Sequence, residues 1–288
     1  MQFALANIVV KEMPFAEQCA YLASIGYDGI EVAPWTLADE PDRLPKRARA
    51  ALRRAAEDAG IAIFGFNFLL YHPPGLSITD PDDAVRARTV DFAKRMIELL
   101  ADLGGRYIVH GSAPQRKIAH PDDDAGRARG IESFRAIAPA AEAAGIDYVI
   151  EPLAVNLAPL FTDNFFINSV AEAADIVRAV ANPRLFTMVD TLAARNEERQ
   201  PVPELLDQWL PTGLVRHIHL NDRNMRAPGQ GADTFADVIA SLVRGGYDRH
   251  VTIEPFEHVP DPKSQAGWAL GFVRGVLEAI ELGRAGAD

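Results

Sequence analysis

The run Gly145-Ile146-Asp147-Tyr148-Val149-Ile150-Glu151-Pro152 decides the fold. Gly145 ends a helical pattern over Ile131–Ala144, because glycine accepts the left-handed backbone that stops a helix and turns the chain. Ile146–Pro152 then reads as a short strand, nearly continuous in apolar character, as a strand buried on both faces should be. It closes on a carboxylate.

The same unit recurs along the chain. Strands are expected at Phe3–Val9, Gly29–Ala33, Ile61–Phe68, Arg106–Gly111, Ile146–Pro152, Leu185–Asp190, Val215–Leu220 and His250–Pro255. Helical patterns rich in Ala, Leu, Arg and Glu lie between them, as at Arg43–Ala59 and Asp83–Leu103. Helices end at Gly26, Gly60, Gly104-Gly105, Gly145 and Gly245-Gly246, and Asp233-Thr234 offers a start for a helix over Phe235–Arg244. Eight strand–helix units without a long gap predict an α/β fold, a single (β/α)8 TIM barrel domain over residues 1–288. An open doubly wound sheet should offer a glycine-rich loop after its first strand, and Asn7-Ile8-Val9-Val10-Lys11 is not one.

Composition narrows the partners. A formal net charge of −11 and the lack of a basic cluster weigh against nucleic acid. No apolar run approaches the roughly 20 residues that cross a bilayer, and no basic amphipathic helix points to a membrane surface. The first residues lack a basic stretch ahead of an apolar one, and Cys19 has no cysteine to pair with, so a cytoplasmic protein is expected. The tail Arg284–Asp288 should fray.

In a barrel of this kind the active site is built at the carboxyl ends of the strands. Strands five to eight end at Glu151, Asp190, His219 and Glu254. One acidic residue at a strand end commonly caps the next helix or is solvated. Carboxylates converging from neighbouring strands would repel one another, and a cation removes that cost. The donor set suits one divalent metal ion, Mn²⁺ or Mg²⁺, with Co²⁺ or Zn²⁺ also compatible. His217 and His219 are expected to alternate, one pointing into the barrel and the other outward, with His219 the inward one.

Glu151-Pro152-Leu153, Asn164 to Ser169, Val189-Asp190-Thr191, His217-Ile218-His219, Pro228-Gly229-Gln230-Gly231 and Ile253-Glu254 resemble the sugar phosphate isomerase/epimerase family, as does Tyr27-Asp28-Gly29-Ile30-Glu31. This is the xylose isomerase-like barrel superfamily of ketose 3-epimerases, hydroxypyruvate isomerases and inosose dehydratases. The resemblance implies that Glu151, Asp190, His219 and Glu254 bind the metal and that Glu151 and Glu254 are acid and base. It also implies a homo-oligomer, dimer or tetramer. The chemistry agrees: a polarised ketose carbonyl acidifies the adjacent C–H, one glutamate removes that proton, and the other returns one.

Several positions depart from the family's pattern. Ala154-Val155-Asn156-Leu157-Ala158 stands where a second Glu is usual, Ala193 replaces a His, and Met225 replaces an Arg, with Arg226 adjacent. These are substrate-orienting positions, so they leave the sugar open. Arg116 either binds a substrate oxygen or makes a surface salt bridge. Asn67 either faces the mouth or caps a loop, and Trp35 and Phe256 either line a sugar ring or belong to the core. Tyr71–Pro81 is long enough for a lid, whereas His72, His110 and His258 read as structural. Three functions fit these residues: a metal-dependent sugar isomerase or epimerase, a lyase on the same scaffold (a dehydratase or keto-glycoside-cleaving enzyme), and a non-catalytic sugar-binding barrel. A DNA-repair endonuclease of related fold would need several zinc ions and clustered histidines, and the seven histidines here do not cluster that way.

Overall fold

The computed structural model describes residues 1–155 and 164–285; Asn156-Leu157-Ala158 and the last residues of the tail lie outside them. Eight parallel strands close a barrel in chain order: β1 Gln2–Ala6, β2 Gly29–Val32, β3 Ala62–Phe66, β4 Tyr107–His110, β5 Asp147–Ile150, β6 Leu185–Asp190, β7 Val215–Leu220 and β8 His250–Ile253. β1 pairs with β8, Phe3 opposite Val251, which removes both sheet edges. The helices are α1 Phe15–Ser24, α2 Lys46–Ala59, α3 Asp83–Leu103, α4 Asp124–Ala144, α5 Val170–Val180, α6 Thr191–Glu197, α7 Val202–Trp209, α8 Ala236–Arg244 and α9 Pro262–Ala285. No helix among the described residues is long and apolar enough to cross a membrane.

Side-chain parity sorts each strand. In β4, Tyr107 and Val109 point inward to join Ala4, Phe64, Val149 and Met188 in the barrel interior. Ile108, Ile150, Val189, Ile218 and Ile253 point outward into the larger core beneath the helices. Successive residues face opposite sides and residues two apart share one. The expectation that His217 and His219 face opposite ways is therefore wrong. Both are fully buried inside the barrel, their ring centroids 4.8 Å apart. The same parity turns Glu31, Glu151, Asp190, Thr252 and Glu254 inward.

Several boundaries differ from expectation, three of them for a local reason. β1 stops at Ala6, and Asn7–Val10 form a 3-10 turn. The Asn7 side chain replaces the ladder there, accepting from the Ala33 N–H at 2.8 Å and donating to Gln18 and Thr36. α2 starts at Lys46 rather than Arg43, because Pro45 occupies its N-cap and keeps Leu44 extended. α8 starts at Ala236 without a side-chain cap. Asp233 instead accepts the Arg223 N–H and pairs with Arg195. Elsewhere Asp82, Asp123 and Ser169 cap α3, α4 and α5.

Gly29 holds the interior open. A Cβ there would lie 2.2 Å from the Phe64 ring, which fills the barrel at that level. Gly29→Ala should destabilise the protein by about 1–3 kcal/mol, measured by urea denaturation. The double variant with Phe64→Leu should recover part of that loss.

Candidate metal centre

The ladder registers bring the strand ends together. Asp190 and His219 are direct partners across β6 and β7. The Glu151 N–H donates to the His110 carbonyl at 3.2 Å, and the Glu254 N–H donates to the Leu220 carbonyl at 3.1 Å, so both follow the last rungs. One donor atom from each of Glu151, Asp190, His219 and Glu254 falls within 4.8 Å of the others, and all four side chains are buried. His219 Nδ1 lies 2.9 Å from Glu254 Oε2, 3.5 Å from Glu151 Oε1 and 3.8 Å from Asp190 Oδ2. Among the described residues it has no partner in hydrogen-bonding geometry despite this crowding.

Every ligand candidate is held from behind. His219 Nε2 is 2.9 Å from Glu31 Oε1, which fixes the ring so that Nδ1 faces the carboxylates. Glu31 is fully buried and also accepts from Tyr107 Oη at 2.6 Å and Thr252 Oγ1 at 2.8 Å, with His217 Nε2 2.9 Å away. Asp190 divides its oxygens: Oδ1 caps α6 through the Ala193 N–H at 2.6 Å, while Oδ2 accepts from Asn221 Nδ2 at 2.9 Å and faces the cluster. Asn67 Nδ2 donates to Glu254 Oε1 at 2.7 Å. Glu151 is cradled by Gly111, where a Cβ would fall 1.5 Å from Oε2.

The electrostatics carry the cost of this convergence. Burial, then Glu151, pushes the Asp190 carboxyl up to about 6. Burial also pushes Glu254 up to about 7, with Glu151 and Glu31 adding to it against the pull of His219. Burial opposes a charge on His219, yet Glu254 and Glu31 hold its imidazole well above the ordinary value. Beneath it, burial and the two histidines act oppositely on Glu31, and the histidines keep it well below the usual carboxylate range. Three carboxylates around an orphaned imidazole nitrogen fit a divalent cation. Metal–ligand bonds of about 2.0–2.2 Å leave only slight settling of the side chains to close such a shell.

The cluster floors a cavity of about 440 Å³. Trp35 and Phe256 line it, as does Tyr71 from the expected lid. The far end of that lid is tied down, with Ile78 N–H donating to the Gln115 carbonyl at 2.8 Å. Ala193 also lines the wall. Arg226 stays outside, half-exposed beside Glu257. Arg116 is not the surface ion pair considered from the sequence. It is fully buried on a 3-10 turn, its guanidinium has no hydrogen-bond partner among the described residues, and burial lowers it to about 10 against the opposing pull of Glu151 and Glu172. His110 meets Tyr148 Oη at 2.8 Å, with burial lowering it to about 3. His258 meets Gln265 and also reaches the cavity, and His72 precedes a cis proline. Glu31 and Asn221 were missed as site residues. Their signal was parity, since Asn221 lies two residues beyond His219 and Glu31 falls at the inward position of β2.

Removing the Glu31 charge would strand two buried imidazoles and two hydroxyls. Glu31→Gln should cost about 3 kcal/mol in urea denaturation, far more than an exposed Glu→Gln change such as Glu281→Gln on α9.

Comparison with known proteins places this geometry. Residues 19–276 match the family model described as xylose isomerase-like TIM barrel. D-psicose 3-epimerase of Agrobacterium fabrum is 29% identical over 248 residues, covering 84% of this chain and 78% of that protein. A putative hydroxypyruvate isomerase of Streptomyces coelicolor is 26% identical over 278 residues, covering 90% and 91%. A crystal structure of D-psicose 3-epimerase in the presence of D-fructose superposes with a TM-score of 0.79 at 25% identity, covering 96% of this chain and 99% of that one.

Proposed function

This chain belongs to the xylose isomerase-like TIM barrel family, and from that premise we propose that it is a divalent-metal-dependent sugar isomerase or epimerase acting on a ketose or keto-sugar. The observation that carries the reading is the convergence of Glu151, Asp190, His219 and Glu254, with an orphaned His219 Nδ1 at its centre. Relatives named as epimerases and isomerases support an enzyme of sugars.

In this reading the four side chains hold one metal ion, Mn²⁺ in first place. Its chemical contribution when bound is to polarise a carbonyl and so acidify the neighbouring C–H. Glu151 and Glu254 directly follow strands five and eight, and a carboxylate oxygen of each lies within 4.8 Å of the other at the cluster. One carboxylate takes the proton beside the carbonyl, and the other delivers a proton to the opposite face or to the neighbouring carbon. Return to the opposite face inverts the centre. Return to the neighbouring carbon, with a proton shift between oxygens, moves the carbonyl. Asn67 orients Glu254, while Gly111 leaves the Glu151 carboxylate its room. The buried floor keeps water from competing for the proton.

A lyase is the second reading, favoured by Ala193 in the cavity wall. The same proton abstraction followed by loss of a leaving group needs space where the family's pattern puts a histidine. Trp268 on α9, 55% exposed, suits the proposed homo-oligomer.

Titration calorimetry with Mn²⁺ tests the ligand set. Asp190→Asn and Glu151→Gln should each weaken binding by about 100-fold or more, and Gly111→Ala by about 10-fold, the scale of a disturbed supporting contact. Incubation with ketoses in heavy water tests the chemistry. Solvent deuterium should enter an isomerised sugar, and Glu254→Gln should slow its entry by about 10²–10⁴-fold. Release of water or of a leaving group instead would establish the lyase, and unaltered sugar in every case would end both readings.

A further inference from the structure

The last helix carries an apolar line that faces away from its own barrel. α9 buries Ala266, Ala269, Leu270 and Val273 against the core. On its opposite side Trp268 is 55% exposed and Leu282 67%. Trp268 stands seven residues before Gly275 and Leu282 seven after it, close to two helical turns each way, so the three share one stripe. Gly271 and Ala279 fall on the same stripe, four residues either side of Gly275, and all three small residues are exposed. Large apolar side chains held in the open along a rigid helix mark a surface that meets something.

The glycines add a second observation. Gly267, Gly271 and Gly275 recur every fourth residue inside a 24-residue helix, where each costs stability relative to alanine. The barrel does not need them. Among the described residues a Cβ added at any of the three meets nothing within 4 Å, whereas one at Gly29 would strike Phe64 and one at Gly111 would strike Glu151. Glycines on an outward helix face, with no neighbour of their own to make room for, leave room for a second backbone.

The stripe is complementary to itself. Turned about a twofold axis through Gly275, an antiparallel second copy lays its Leu282 on Trp268 and its Ala279 on Gly271, and each contact is made twice. Charge agrees with the same register. Arg274 and Glu278, one turn apart, flank the stripe on one side, and the axis brings Arg274 of each copy beside Glu278 of the other. Glu278 is exposed and has no ion-pair partner among the described residues. Arg274 is half-exposed, 3.3 Å from Asp28. An anionic lipid surface or a nucleic acid would instead be repelled by Glu278 and Glu281.

We propose that α9 is the contact of a twofold homodimer, in which a second copy of this chain packs antiparallel on it with the axis at Gly275. This rests on the homo-oligomer reading given above and adds to it the face, the direction and the register. The contact lies on the outer wall of the barrel, and the four metal-binding candidates of each copy come from that copy alone.

Cysteine cross-linking reads the register. Cys19 is buried and stays out of the reaction. Gly275→Cys should give a disulfide-linked dimer under mild oxidation, because a close crossing there brings the paired Cα atoms within the roughly 4.4–6.8 Å that a disulfide spans. Gly271→Cys and Ala279→Cys should each fail to link alone and should link when mixed. Sedimentation velocity on the parent protein should show a dimer, and Leu282→Glu, at an exposed position, should weaken it by about tenfold or more while the circular dichroism of the parent is retained. A monomer at every attainable concentration overturns both the interface and the oligomer. A dimer that Gly275→Cys does not link, or that Leu282→Glu leaves intact, overturns this interface while the oligomer stands.

Discussion

Repulsion between carboxylates that have lost their water is the constraint around which this barrel is organised. Glu151, Asp190 and Glu254 arrive from separate strands at one imidazole, and Glu31 lies beneath the same ring. Charges so close in a low-dielectric interior persist only when each is compensated. For Glu31 the compensation is built in, from two hydroxyls and two histidines. Above His219 it is incomplete: Asp190 and Glu254 are pushed toward neutrality, and Nδ1 faces oxygen without a bond. Three carboxylates converging on one imidazole nitrogen mark the upper layer as a place for a cation.

The long-range plan was open to reading because each unit states it locally. Leu185–Asp190 and Val215–Leu220 match β6 and β7 end to end, since glycine or proline chemistry precedes each run and an ionisable residue stands at its last or next-to-last position. Where side chains substitute for backbone bonding, as at Asn7, or where a proline moves a helix start, as at Pro45, the residues were visible but their partners were not. Gly126 and Gly130 similarly concealed the first turns of α4, which begins at Asp124 rather than Ile131, because glycine weakens a helical pattern.

At the site, types and order along the chain sufficed for the four converging residues, whereas contacts between distant strands did not show. Glu31 is 188 positions from His219 and Asn67 is 187 from Glu254, separations that no local pattern reports. Arg116 illustrates the opposite limit. An arginine in a loop looks solvent-seeking, and only the packed strand-four loop, held by Ile78 on one side and Phe166 on the other, explains why it is enclosed.

Asp190 serves two masters, and this divides the barrel into a conservative and a permissive half. One oxygen is tied to the first turn of α6 and the other to Asn221 beside the cluster, so that side chain cannot drift without fraying a helix. The rings at 35, 68 and 71 hang on connections after the early strands, with no comparable double duty. New appetites can thus be acquired by redecorating one rim of the molecule while its reactive quarter stays untouched. Descendants of such a chain would diverge in diet long before they diverged in chemistry.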